Sequence, residues 1–219
     1  MNSRNEILNR LRQSVQAGKK NLGFALSDKA LFADYPESAN YLVDIFRRQF
    51  LNLYGEFHYL ESKKAVADLL FERIKDIEPE KCKAHHFPLF KELKMTNSSL
   101  NNIFKKELEK ETSSFDFANY EVGITGADAL IARTGSVMLR TTSAGGRRLS
   151  VLPPIHIILA EDDQLVFSLE QALQKLYEGE TCWSYATIIS GPSRTSDIEK
   201  ELVLGAHGPK RLIVLLLKS

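Results

Sequence analysis

Two apolar runs constrain this chain most: Ile155-His156-Ile157-Ile158-Leu159-Ala160 and Leu212-Ile213-Val214-Leu215-Leu216-Leu217. Each is the length of a buried strand and far short of the ~20 residues that cross a bilayer. A strand wetted on one face alternates apolar and polar residues, so these uninterrupted runs require cover on both faces. Further strands are expected at 120–125, 135–140 and 184–190, and helices at 165–177 and 195–203. Residues 126–128 are read as the start of a short helical turn. Strands alternating with helices, the strands almost continuously apolar, predict an α/β fold with a mainly parallel sheet and helices on both faces. Such sheets receive ligands beyond the carboxyl ends of their strands.

The first part of the chain reads as helical. Ile7, Leu8, Leu11 and Val15 recur at helical spacing, and 23–34 reads as a loop or arm. Tyr41, Leu42, Ile45, Phe46 and Phe50 define a second amphipathic helix entered near Pro36-Glu37-Ser38. These faces need a partner, so residues 1–53 are expected to form a helical extension packed on the core or on another subunit. Residues 54–219 are expected to form the α/β domain. That domain opens with a strand, Gly55-Glu56-Phe57-His58-Tyr59-Leu60, then a helix from Ser62, which is placed to cap it. Residues 81–94 give no clear pattern, and 97–112 reads as a helix.

Lys and Arg number 29 against 28 Asp and Glu, a balance that gives no cause to expect a nucleic-acid or membrane partner. The amino-terminal residues lack the apolar stretch of a signal peptide. Two distant cysteines, Cys82 and Cys182, suit a reducing cytoplasm and cannot by themselves hold an iron–sulfur cluster, which usually takes four. No cofactor fingerprint, Walker A loop or Gly-x-Ser-x-Gly elbow is present. Cys82, His85 and His86 are suitable ligand types, but zinc wants three or four ligands and no second cluster accompanies them, so no metal is expected.

The chemistry gathers in polar turns. Ser190-Gly191-Pro192-Ser193-Arg194-Thr195-Ser196-Asp197-Ile198-Glu199 links an expected strand to an expected helix. Gly191 permits a sharp turn, and Ser196 with Glu199 forms a capping-box pattern. A helix N-terminus there would favour an anion, with Ser193 and Thr195 adding hydroxyls and Arg194 a fork-shaped cation. The plain alternative is a capped turn with Arg194 paired to a local acid. Thr125, Gly126 and Asp128 form a second turn, in which Asp128 either orients a ligand hydroxyl or acts as a base, or caps a helical turn. Thr134, Gly135 and Ser136 precede another strand, as a cleft wall or an ordinary turn. His207 and Gly208 precede the last strand, where His207 is either an acid, base or donor, or a half-buried turn residue. His156 reads as a core histidine unless it reaches the cleft. No catalytic residue is singled out.

At these turns the chain resembles the LUD-domain family, the group of lactate utilization protein C. The resemblance is carried by Gly123-Ile124-Thr125-Gly126-Ala127-Asp128, Ile131-Ala132-Arg133-Thr134-Gly135-Ser136, Leu152-Pro153-Pro154-Ile155-His156-Ile157, the Ser190–Glu199 stretch and Gly205-Ala206-His207-Gly208-Pro209. It runs from about residue 120 to the end and covers the first half loosely. It implies a fold similar to the sugar-phosphate isomerase, CoA-transferase and formyltetrahydrofolate cyclo-ligase group. It also implies a part in oxidising L-lactate to pyruvate beside two iron–sulfur partner proteins, without cluster cysteines of its own. The other reading is an independent enzyme on that scaffold, acting on a phosphorylated or CoA-linked substrate. One position departs: the family commonly carries an acid where Arg133 stands. If that acid does chemistry, Arg133 implies a lost function or a changed ligand; a cation there favours an anionic ligand.

Overall fold

The two apolar runs lie side by side at the centre of a five-stranded, wholly parallel sheet. Its strands are β1 (Glu56–Leu60), β2 (Cys82–Ala84), β3 (Val122–Thr125), β6 (Ile155–Glu161) and β11 (Arg211–Leu217), in the order β1-β11-β6-β3-β2. The computed structural model describes residues 10, 38–104, 119–140, 148–178, 185–195, 203–204 and 208–219. The chain divides into two compact units, Met1–Tyr35 and Pro36–Ser219, and apart from residue 10 the described residues all belong to the second. The expected first helix, but for residue 10, and the 23–34 arm lie outside the described residues.

Alternate residues of the central strands point to opposite layers. Ile157, Leu159, Ile213, Leu215 and Leu217 face three helices, α2 (Lys63–Ile74), α3 (Pro88–Thr96) and α4 (Ser98–Phe104). Ile158, Ala160, Leu212, Val214 and Leu216 face the other way, onto α1 (Ala39–Asn52) and one face of a second sheet. Helix α1 buries Leu42, Val43, Phe46 and Phe50, so it is a layer of this unit. Helix α2 starts as expected: the Ser62 hydroxyl accepts the Ala65 N–H.

The strands expected at 135–140 and 184–190 form, but in a second sheet separate from the parallel one. It is mixed, built from β4 (Ala129–Ile131), β5 (Ser136–Arg140), β7 (Leu165–Val166) and β8 (Ala186–Ile189) in the order β7-β4-β5-β8. Leu130, Ala132, Val137, Leu139 and Leu165 face the main sheet. Ala129, Ile131, Met138 and Val166 face α6 (Leu169–Glu178) through its Ala172 and Leu176. The short helix α5 (Arg148–Val151) lies over Gly123, where an added Cβ would stand 2.2 Å from the Leu149 carbonyl oxygen.

Three local expectations give way to strand pairing. Residues 126–128 do not start a helical turn; Asp128 N–H donates to Met138 O and leads into β4. The helix read at 165–177 begins only at Leu169, because Leu165-Val166 pairs with β4 first. The helix read at 195–203 is absent at both ends: β9 (Arg194–Thr195) pairs antiparallel with β10 (Val203–Leu204). The capping-box residues Ser196 and Glu199 lie outside the described residues.

Candidate functional site

The structure divides the expected cleft residues between two places. The first surrounds the C-terminal end of α1. Two turns there have positive φ at glycine, Gly135 (φ 64°) and Gly191 (φ 84°). A Cβ on Gly135 would meet the Phe50 backbone nitrogen at 2.6 Å, and one on Gly191 the Leu53 carbonyl oxygen at 2.5 Å. Both turns close on the helix because they lack side chains, and backbone strain excludes most other residues there. Ser136 and Ser190, beside these glycines, share a hydrogen bond at 2.8 Å. Pro192 is buried, Ser193 N–H donates to Pro209 O at 2.8 Å, and Gly208 packs on the Ser193 side chain. Gly208 and Pro209 lead into β11, so this cluster lies at the amino ends of the parallel strands.

Arg194 is exposed, and its guanidinium lies 5.0 Å from the centre of the Tyr54 ring. Its place is therefore set by a strand pairing and a cation–π contact, with no helix N-terminus at Thr195. Of the other residues expected here, Thr134 is exposed in the β4–β5 turn, and His207 lies outside the described residues. The exposed Arg133 donates its backbone N–H to Phe167 O. Glu170, in the first turn of α6, is held below the usual carboxylate range by its own backbone N–H, by Ser168 and, last, by the Arg133 charge.

The second place is the carboxyl end of β3. The Asp128 carboxylate accepts from Arg140 Nε at 2.7 Å and from the Arg140 backbone N–H. Both its oxygens accept from Arg140 and lock the β4–β5 hairpin, and with no helical turn at 126–128 the expected cap is not formed. Gln164 Nε2 donates to Ala127 O beside it. Gly126 packs under the Phe87 ring, at 3.2 Å from where its Cβ would be.

Behind this turn lies a cluster that sequence reasoning missed. Thr125, 2% exposed, holds its Oγ1 2.8 Å from Nε2 of His156, which has no exposure. Burial, then the neighbouring His85, push the His156 imidazole down to about 3, so it is neutral. Burial and then His86 likewise lower His85. His156 Nδ1 and His85 Nε2 are buried with no hydrogen-bond partner among the described residues. Parallel pairing brings them together: Ala84 pairs with Ile124, His85 N–H donates to Ile124 O, and Gly123 pairs with His156. Cys82 points instead into the helix-covered core, so the Cys82, His85, His86 trio does not converge.

A groove of about 730 Å³ runs along α3, walled by Phe87, Phe90 and Met95 and including Lys91 and Lys94. None of the sequence-expected site residues lines it. Among the described residues, no helix is long and apolar enough to cross a membrane.

The LUD domain family model matches residues 43–217. The chain belongs to the LUD-domain family. This LUD-domain chain is similar to an uncharacterised protein of Neisseria meningitidis, 36% identical over 55% of this chain and 52% of that one. It is also similar to lactate utilization protein C of Halalkalibacterium halodurans, 36% identical over 45% of each. These two matches span about half the length of the relatives. Longer matches are to lactate utilization protein C of Shouchella clausii, 30% identical over 78% of this chain and 77% of that one, and of Bacillus subtilis, 25% over 97% and 95%. The crystal structure of a DUF162 family protein from Deinococcus radiodurans superposes with a TM-score of 0.59, at 19% identity, over 83% of this chain and 99% of that one. That likeness shows the fold alone.

Proposed function

We propose that this chain acts in lactate utilization, as a subunit without a redox centre of its own that works beside iron–sulfur partner proteins in oxidising L-lactate to pyruvate. The observation that carries the reading is the match to lactate utilization protein C of Bacillus subtilis over nearly the whole of both chains. The cysteine count supports the non-redox part, because two thiols fall short of the four a cluster usually takes. The exposed Arg194 guanidinium, in the loop carrying Ser190 and Ser193, is where a small anion or an acidic partner surface would be met. The rival reading, an independent enzyme on a phosphorylated or CoA-linked substrate, rests on an anion-binding turn in that loop and on the fold group. The Thr195–Val203 strand pairing favours the first reading over it.

The test is genetic and biochemical. Deletion of the gene should abolish or slow growth on L-lactate as sole carbon source, with growth on glucose unchanged, and the intact gene should restore it. The purified chain should retain the iron–sulfur proteins of the same host. Unchanged growth on lactate together with no retention would reject the proposal.

A further inference from the structure

The cluster behind the Gly126 turn has an unusual balance of polar groups. Buried donors and acceptors are almost always paired, and each exception calls for a reason. Here Thr125 Oγ1 meets His156 Nε2, and among the described residues His156 Nδ1 and His85 Nε2 are left over. A neutral imidazole keeps one donor and one acceptor nitrogen. Whichever way the Thr125 hydroxyl turns, His156 therefore presents Nδ1 as one or the other. Thr125 closes the cluster on the protein side, whereas His85 is only half-buried and His86, next to it, is exposed. His85 and His86 therefore form the side of the cluster nearest solvent. Thr125 ends β3 and His85 follows the end of β2, the strand ends beyond which open parallel sheets receive ligands, and His156 meets Thr125 from the amino end of β6. Neither Asp128 nor Arg140 competes for it, since each is committed to the other.

The nearby charge excludes some ligands. Both imidazoles are neutral and the third group is a hydroxyl, so nothing in the cluster offsets a buried charge. An uncharged oxygen able to accept and, if a hydroxyl, to donate would satisfy the two ring nitrogens without burying a charge. We propose that His156 Nδ1 and His85 Nε2 receive the hydroxyl or keto oxygen of a short 2-hydroxy or 2-oxo acid, with its carboxylate left on the solvent side of His85. The class of acid rests on the function proposed above; the need for a neutral oxygen rests on the cluster alone. Thr125 is a positioning residue that fixes which His156 nitrogen carries the proton.

The test is nitrogen-15 NMR of the imidazoles in the full chain, titrated with L-lactate, pyruvate and propionate, the last having the carboxylate without the second oxygen. Lactate or pyruvate should shift the His156 and His85 ring nitrogens saturably, and propionate should not. Thr125→Val, nearly isosteric, should weaken binding at least tenfold and change the His156 tautomer signature in the free protein; His85→Gln should weaken it similarly. Ring nitrogens unmoved by all three acids, or moved equally by propionate, would overturn the proposal, and so would wild-type affinity in both variants. Absence of binding in a wild-type chain that restores growth on lactate would sink this inference and leave the lactate-utilization reading standing. Binding without complementation would do the reverse.

Discussion

Gly135 lies against Phe50 so closely that the Cα of one and the backbone nitrogen of the other leave no room for a methyl group: a Cβ would stand at 2.6 Å. The glycine also has φ 64°, a region costly for other residues. Strain and overlap with a helix backbone add here. Gly135→Ala is expected to destabilise the protein by roughly 2–4 kcal/mol, with the helical signal kept at low temperature. Chemical denaturation checks this, and a loss below about 0.5 kcal/mol would contradict the packing.

His156 links stability to pH. Its folded value is about 3 against an ordinary 6.5, because burial, then His85, disfavour the cation. Between those values the unfolded chain binds the extra proton, so stability is full above 6.5 and falls as pH drops from 6.5 towards 3. His156→Gln should flatten that part of the stability curve, by on the order of a few kcal/mol at its acid end. Equal slopes for both proteins from pH 6.5 to 4.5 would refute the assignment.

Asp162 gives a second dependence at lower pH. Burial would raise its carboxyl, but the Ser219 hydroxyl and N–H and the Tyr59 hydroxyl, all donating to it, outweigh burial and hold it below 3.8. Its contribution is present above about 3.8 and lost as pH falls through the lower folded value. Tyr59 mirrors this: burial and the Asp162 bond raise its phenol to about 12, so stability declines as pH rises from 10 to 12. Tyr59→Phe should remove the alkaline loss and cost about 1 kcal/mol at neutral pH. Thermal melts across pH 3–12 would show both limbs.

The Arg194–Tyr54 contact is exposed, with Tyr54 at 66%, so its energy is small, about 0.5–1 kcal/mol. Arg194→Ala should therefore leave the melting temperature within a few degrees. On the proposed reading it should weaken capture of the iron–sulfur proteins several-fold. A folded variant that captures them normally removes Arg194 from the interface.

Asp128→Asn should loosen the β4–β5 hairpin, since both carboxylate oxygens hold Arg140. At about one-fifth exposure of each side chain (22%) the pair is partly screened, so a loss of about 1 kcal/mol is expected. Faster amide exchange at Ala129–Ile131 and Ser136–Arg140 would mark it.

Much of the fold was legible because it is local. Apolar runs with no polar alternation named β6 and β11, helical spacing named α1, and Ser62 named the start of α2. The second sheet was legible only in part, as the expected strands 135–140 and 184–190 that became β5 and β8. Leu165-Val166 and Ala129–Ile131 are too short to carry a period, and only pairing with each other makes them strands. The Arg194–Thr195 stretch carries a cap-like sequence, yet pairing with Val203–Leu204 overrides that local preference. The candidate site divides in the same way. Gly135, Ser136, Gly191, Ser193, Arg194 and Gly208 do meet, but around a helix C-terminus, while Thr125, Gly126 and Asp128 stand apart from them. By itself the sequence determined the parallel core, the family and the turns that carry polar groups, because each follows from residues adjacent in the chain. Only the tertiary structure decided that Asp128 is committed to Arg140 and that His85, Thr125 and His156 share one buried place. Strand register brings together residues up to 71 positions apart, and register is set by which faces the whole core can bury.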